Sequence, residues 1–239
     1  MISVVIPVRN TKPSWIRVSV KSIIRQTLKP DEIVLVDDGS TNKDTIDCLD
    51  EVGSWTACKI VRLARPSGIS SAINAGISAS RNGIIARMDS DDFSLRERFA
   101  MEFDFLKMRP WVDMVGCGVS FLVRKNIGWS VSGGKTHEPV VTQRSALRSN
   151  WLVSHPTVMF RRESVESLGG FDESPDCMVE DFEMWARMLV SGSRIENIPQ
   201  RLHLLRRHGA SYSANYPRSA KAWTDAVLSR LCMGNLKII

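Results

Sequence analysis

The sequence has no long hydrophobic run. Its apolar segments, such as residues 2–8, are far shorter than the ~20 residues a bilayer-crossing helix needs. No basic leader or small-residue cleavage site precedes the first of them, so a secretory signal is not expected and the chain reads as cytoplasmic. The five cysteines (Cys48, Cys58, Cys117, Cys177, Cys232) are odd in number and never form a C-x-x-C pair. That spacing argues against both a disulfide framework and a zinc site. Internal repeats and low-complexity tracts are also missing. The basic segments lack interleaved aromatics, so nucleic acid is not an expected partner.

What is present suits one full core: 239 residues, 43% hydrophobic and 24% charged. The net charge of +6 is unevenly placed. From residue 200 onward seven Lys/Arg (Arg201, Arg206, Arg207, Arg218, Lys221, Arg230, Lys237) face one acid, Asp225, and this imbalance accounts for the whole excess. From charge alone a basic end of this kind suits an anionic partner (phosphates, a lipid surface or nucleic acid) and equally a solvated helix face. Within it, Trp223, Val227, Leu228 and Leu231 fall at roughly helical spacing. Residues 217–239 therefore read as a basic amphipathic helix that either packs against the domain or makes peripheral contact at the inner face of the cell membrane.

The first half alternates. Residues 2–8 (ISVVIPV) form a buried strand, and residues 14–27 a helix with Ile16, Val20, Ile23 and Ile24 on one face. Residues 32–38 (EIVLVDD) are a second strand, whose unbroken apolar run suits a strand covered on both faces. A helix over 42–51, a strand over 59–64, a small-residue helix over 69–80 and a strand over 83–89 follow. This order predicts an α/β fold with a doubly wound, mostly parallel sheet, in which ligands bind at the carboxyl ends of the strands. Further on, Ser94 and Glu97 have capping-box spacing before a helix carrying Phe99, Phe103 and Leu106. Residues 111–123 and 157–160 read as strands, and the polar stretch 124–138 as irregular. The segment EDFEMWARMLVSG reads as a helix with Phe182, Trp185, Met188 and Leu189 on one face.

Acids gather at the expected strand ends. Asp89 and Asp91 are two apart, so on an extended backbone they share a side, and paired hard oxygens suit Mg²⁺ or Mn²⁺. Taken alone, Asp91-Asp92 could simply begin a turn, as could Asp37-Asp38-Gly39-Ser40. Glu180 and Asp181 could equally serve the dipole of the helix they open.

Together the segments VVIPVRN, VDDGS, INAGISASRNGIIARMDSDD, SHPTVMFRR, GGFDE, VEDFEMW and RRHGAS resemble the family 2 inverting nucleotide-sugar glycosyltransferases, which have the GT-A fold. They occur in family order over nearly the whole chain, and the likeness is greatest to bacterial enzymes building O-antigen, capsule or exopolysaccharide. The resemblance implies a GT-A domain over 1–216, with a nucleotide-binding half (1–110), an acceptor-binding half (111–216) containing a small antiparallel part of the sheet, and a helical tail. It implies a UDP-sugar donor, Mn²⁺ or Mg²⁺ as cofactor, and a saccharide or lipid-linked saccharide acceptor. By position, Pro7, Arg9, Asp38, Arg87 and Asp89 match the nucleotide pocket, and Asp91 and His208 the metal site. Arg206 and Arg207 match the diphosphate loop, and Asp92, His155 and Trp185 the sugar-side positions. Asp181 matches the catalytic base, with Glu180 beside it. A carboxylate suits that role, because the acceptor hydroxyl must lose its proton as it attacks the anomeric carbon.

Two departures stand out. Arg9 occupies a position where an aromatic is common, and Arg65-Pro66 one where asparagine is common. Two other readings are a sugar-1-phosphate nucleotidyltransferase and a catalytically inactive sugar-nucleotide-binding module. The first would carry a glycine-rich basic loop after the first strand, where this chain has PVRNTKPS.

Overall fold

In a computed structural model, residues 1–148, 151–174, 177, 179–209 and 224–229 are described. The chain opens with β1 (Ile2–Val8), α1 (Pro13–Ile24), β2 (Glu32–Asp37), α2 (Lys43–Gly53), β3 (Cys58–Arg62), α3 (Ile69–Ala79) and β4 (Ile84–Arg87). The four strands lie parallel in the order β3-β2-β1-β4. Every expected element of this half is present, with ends displaced by up to three residues. The side chains of β1 alternate as a strand requires: Val4, Ile6 and Val8 pack with Ile16, Val20 and Ile23 of α1, while Val5 faces Ile73 and Ile77 of α3 on the other side. Gly76 lets α3 lie close on the sheet, since a Cβ there would collide with Val5.

The second half departs more from expectation. β5 (Phe93–Ser94) precedes α4 (Arg98–Met108). The predicted capping box does not form. Ser94 lies in β5, where its N–H donates to Ser22 Oγ at 3.1 Å, and Glu97 makes no side-chain cap. β6 (Met114–Arg124) turns back into β7 (Trp129–Lys135), so the stretch expected to be irregular forms the second strand of a hairpin. β8 (Val140–Val141), α5 (Gln143–Ala146), a 3-10 turn at His155–Thr157, β9 (Met159–Arg161), α6 (Arg162–Glu166) and α7 (Glu180–Val190) follow. The last strand, β10 (Ile195–Arg207), was not anticipated. It runs parallel to β6 and antiparallel to β5 and β8, while β9 joins β4 to β6 antiparallel to both. The sheet order is thus β3-β2-β1-β4-β9-β6-β10-β5. Register shifts between Ile198 and His203 follow Pro199, which cannot donate to the ladder.

Phe182, Trp185, Met188 and Leu189 of α7 are all buried, as their spacing predicts. Residues 224–229 are helical; Val227 is buried in the core containing Trp185, and Leu228 packs against it. At those two positions the expected tail helix packs on the domain. Trp223, Leu231 and the remainder of 217–239 lie outside the described residues. No helix among the described residues is long and apolar enough to cross a membrane.

Candidate active site

The turn after β4 carries the acid cluster. One carboxylate oxygen from each of Asp89, Asp91 and Asp92 lies within 4.8 Å of the others. They converge because the backbone turns, with the Asp92 N–H 3.4 Å from the Asp89 carbonyl, and not because they share one side of an extended strand. Helix α1 braces the turn through Ser19 Oγ, which donates to the Asp89 carbonyl at 2.8 Å.

Each acid meets a different basic partner. Buried Arg87 pairs with Asp89 through Nη1. Asp91 Oδ2 lies 2.7 Å from His208 Nε2. Asp92, which is 2% exposed, meets His203 Nε2 at 2.7 Å and accepts the Arg206 N–H at 2.7 Å. β10 supplies His203 and Arg206 and ends one residue before His208. The pairing of β10 with β5 (His203 opposite Ser94) holds this series against the acids.

The electrostatics separate the three. Burial works against ionisation of Asp89, but the charge and hydrogen bond of Arg87 overcome it and hold the carboxyl below its usual range. Burial, then the charges of Asp92 and Asp89, push Asp91 up to about 6 despite His208. Asp92 is raised well above its ordinary value, chiefly by burial and then by Asp89. Burial pushes His203 down to about 3, which keeps its ring neutral. Asp91 therefore carries the charge most in need of a further cation. The converging carboxylate oxygens of Asp89, Asp91 and Asp92 form a hard donor set that fits a divalent ion, and the His208 imidazole stands beside Asp91 as a further candidate ligand.

The second cluster opens α7. Glu180 is 7% exposed, and its carboxylate lies 3.6 Å from His155 Nδ1. Burial opposes its charge, but the His155 hydrogen bond and charge bring it below the usual range. Asp181 is partly exposed, and its Oδ1 accepts the Phe182 N–H at 2.7 Å. Burial and then Glu180 push it up to about 6. Arg87 and His155 lie within electrostatic reach of both Asp181 and Asp89, so the two acid clusters have the same two basic neighbours. His155 is fixed by stacking on Phe171 at 5.6 Å, and Phe171 is held by Asn74 through hydrogen bonds of 2.8 and 2.9 Å. That is the structural work of the GGFDE segment.

Asp38 is 4% exposed and accepts N–H bonds from Ser67 at 2.6 Å and Gly68 at 3.1 Å, with Arg9 Nη1 3.8 Å away. Gly39, at φ 63, lets the loop containing Pro66 press close, since a Cβ there would lie 2.6 Å from Pro66 N. Pro7 sits beside this group at the end of β1. A groove of ≈ 590 Å³ opens beyond it between Asp37, Arg62 and Pro66, and none of the acid cluster lines it.

Two expectations need correction. Trp185 is 1% exposed and packs edge-on to His155 at 5.7 Å, so it supports the site from behind and presents no face to a sugar. Asp92 has both carboxylate oxygens engaged and is buried, which removes it from the sugar side. Arg206 and Arg207, matched to the diphosphate loop, both lie at the end of β10, where neighbours on a strand point to opposite faces. Arg206 Nε donates to the Asp91 carbonyl at 2.6 Å, and its guanidinium lies over Trp15 (5.1 Å) and Trp129 (4.5 Å). Arg207 lies over Phe121 at 3.6 Å. His203, Trp15 and Trp129 escaped the sequence reading. The alternation in RLHLL could have revealed His203, but Pro199 obscured the strand. Trp15 packs against His208 at 4.6 Å, a contact no local spacing announces.

Residues 3–169 match Glycosyl transferase family 2. The amylovoran biosynthesis glycosyltransferase AmsE of Erwinia amylovora is 28% identical over 211 residues, which cover 86% of this chain and 76% of that protein. The UDP-Gal:alpha-D-GlcNAc-diphosphoundecaprenol beta-1,3-galactosyltransferase of Escherichia coli is 24% identical over 191 residues, 79% of this chain and 67% of that one. The crystal structure of S. aureus TarS 1-349 in complex with UDP-GlcNAc superposes with a TM-score of 0.69 at 17% identity, covering 98% of this chain and 72% of that one. At that identity the likeness establishes the GT-A fold. The family match sets the nucleotidyltransferase reading aside. With the fold, the acid turn and the family profile in agreement, the chain belongs to glycosyl transferase family 2 and is a glycosyltransferase.

Proposed function

We propose that this enzyme is a metal-dependent inverting transferase of surface-polysaccharide synthesis, of the O-antigen, capsule or exopolysaccharide kind. It moves a hexose or N-acetylhexosamine from a UDP-sugar to a saccharide acceptor carried on lipid through pyrophosphate, forming a β-glycosidic bond. The names of the relatives from E. amylovora and E. coli support the pathway class and the acceptor, and TarS bound to UDP-GlcNAc supports the donor. The observation that carries the reading is the placement of Asp181, whose carboxyl sits near 6, within the fields of the same Arg87 and His155 that act on Asp89.

In this mechanism Asp38, Arg9 and Pro7 receive the nucleoside. Asp91 and His208 would hold Mn²⁺ or Mg²⁺, which would supply positive charge against the departing diphosphate. Arg206, fixed by two indoles and the Asp91 carbonyl, keeps the turn in position. Asp181 takes the acceptor hydroxyl proton as the oxygen attacks the anomeric carbon, and a value near 6 leaves it ionised yet still basic at neutral pH. Glu180, paired with His155, stays charged and raises the basicity of Asp181. One displacement inverts the centre, so an α-linked donor gives a β product.

The test is UDP release from a panel of UDP-hexoses and UDP-N-acetylhexosamines by the full chain, with Mn²⁺ or with EDTA, followed by linkage analysis of the product. Metal-dependent release from one donor, lost in Asp181→Asn, is expected. Release that ignores EDTA, or an Asp181→Asn variant as active as the wild type, refutes the mechanism.

A further inference from the structure

A cation and an indole sit together on the acceptor side, outside the clusters described above. Lys135, at the end of β7, places its ammonium 3.8 Å from the centre of the Trp151 ring. Trp151 is 36% exposed. His137 packs edge-on to the same indole at 5.9 Å and bonds Ser154 Oγ through Nε2 at 2.8 Å. Burial, then Lys135, push His137 down to about 4, and a hydrogen bond from its ring to the Trp151 backbone carbonyl opposes them. The neutral ring therefore ties residues 151–154 together without adding charge. Ser154 directly precedes His155, the partner of Glu180, so this group lies one residue from the base cluster.

The local charge is one-sided. Residues 114–137 contain Arg124, Lys125 and Lys135 and no acid. The next residue, Glu138, is engaged by Arg148 at 3.1 Å and by Ser145 Oγ at 2.6 Å. Among the described residues no carboxylate acts on Lys135, whose ammonium is disfavoured by burial alone. Arg201 adds a second cation nearby, its chain lying against Gly118 and Gly134. A half-buried ammonium with no counter-ion among the described residues, beside a partly exposed indole, has the chemistry of a site for a sugar that carries a phosphate.

We propose that Lys135, Trp151 and His137 form a subsite for the phosphate-bearing sugar of the acceptor, with the sugar against the exposed part of Trp151 and its phosphate oxygens on Lys135. This rests on the reading of the acceptor as a pyrophosphate-linked saccharide. The indole supplies the apolar surface a pyranose ring covers, and the ammonium recognises the anionic link whether it is a phosphate or a pyrophosphate.

The test is calorimetric binding to the full chain of three probes: a decyl N-acetylglucosaminide, decyl phospho-N-acetylglucosamine and decyl diphospho-N-acetylglucosamine. The wild type is expected to bind both charged probes at least about tenfold more tightly than the neutral one. Lys135→Ala should abolish that preference and Lys135→Arg should retain it. Trp151→Ala should weaken all three probes, while Trp151→Phe restores most of the binding. Melting temperatures close to wild type confirm that the variants fold. A wild type that does not distinguish the probes, or a Lys135→Ala variant that keeps the preference, overturns the subsite. Donor hydrolysis by the wild type separates the two readings. If it is metal-dependent while Lys135→Ala changes nothing, the subsite alone is wrong. If the charged probes bind as expected but no UDP-sugar is hydrolysed, the donor reading is wrong and the subsite stands.

Discussion

The Glu180→Gln variant keeps the shape of its side chain and removes one negative charge beside Asp181. Asp181 is raised from 3.8 to about 6, by burial first and by Glu180 second. At about 1.36 kcal/mol per pKa unit, roughly 3 kcal/mol disfavours its ionisation. Burial survives the substitution. A like charge at side-chain range contributes roughly 1 kcal/mol or slightly more in a partly solvated site, so the Asp181 value should fall to roughly 5 in the variant. The sign follows from the role: a base acts deprotonated, so activity is lost as pH falls through the folded-state value. Lowering that value extends activity into acid. At pH 5 the ionised fraction rises from about one-tenth to about one-half, an increase of roughly fivefold over the plateau-normalised wild type. Initial rates of UDP release at saturating donor, from about pH 5 to about pH 8.5, read this directly. Asp181→Asn is the control, with an expected loss of about 10²- to 10⁴-fold at every pH. An acidic limb that stays in place in Glu180→Gln, or moves upward, refutes the division of labour between the two acids.

Asp91→Asn removes the carboxylate that His208 meets at 2.7 Å. UDP binding in Mn²⁺, measured by calorimetry, should weaken about tenfold or more and cease to respond to EDTA; unchanged metal dependence refutes the assignment. His203→Ala leaves a buried Asp92 oxygen without its partner, at a cost of about 1–3 kcal/mol. For a chain of this size that lowers the melting temperature by roughly 2–4 °C per kcal/mol, and a wild-type melt contradicts the reading. Gly76→Ala should also lower the melting temperature. The collision with Val5 costs about 1–3 kcal/mol, against about 1 kcal/mol gained from helix propensity; a rise would show that α3 can shift away from the sheet.

The first half of the fold was readable because buried parallel strands leave unbroken apolar runs, and the helices between them show clear periodicity. β7 was not, because it is half-exposed and mixes Ser, Gly and Val without contrast between its faces. β10 was hidden by Pro199 and by charges at its far end. The capping box at Ser94 failed because tertiary pairing outweighed a local preference: Ser94 is opposite His203 in the sheet. The location of the acids was legible where position in a motif decides, as for Asp91 in the turn after β4 and for Asp181 in the first turn of α7. It was not legible where the direction of a side chain decides. Trp185 faces the core, Asp92 turns toward His203, and Arg206 and Arg207 diverge.

Arg206 is gripped on two sides, by Trp15 from a helix near the start of the chain and by Trp129 from the β6–β7 hairpin. Each grip is worth about 0.5–2 kcal/mol, and the same side chain bonds the Asp91 carbonyl. The hairpin therefore cannot lift away without loosening the acid turn. A molecule that arrives against the hairpin is mechanically in touch with the acid turn, through a single guanidinium acting as a rivet.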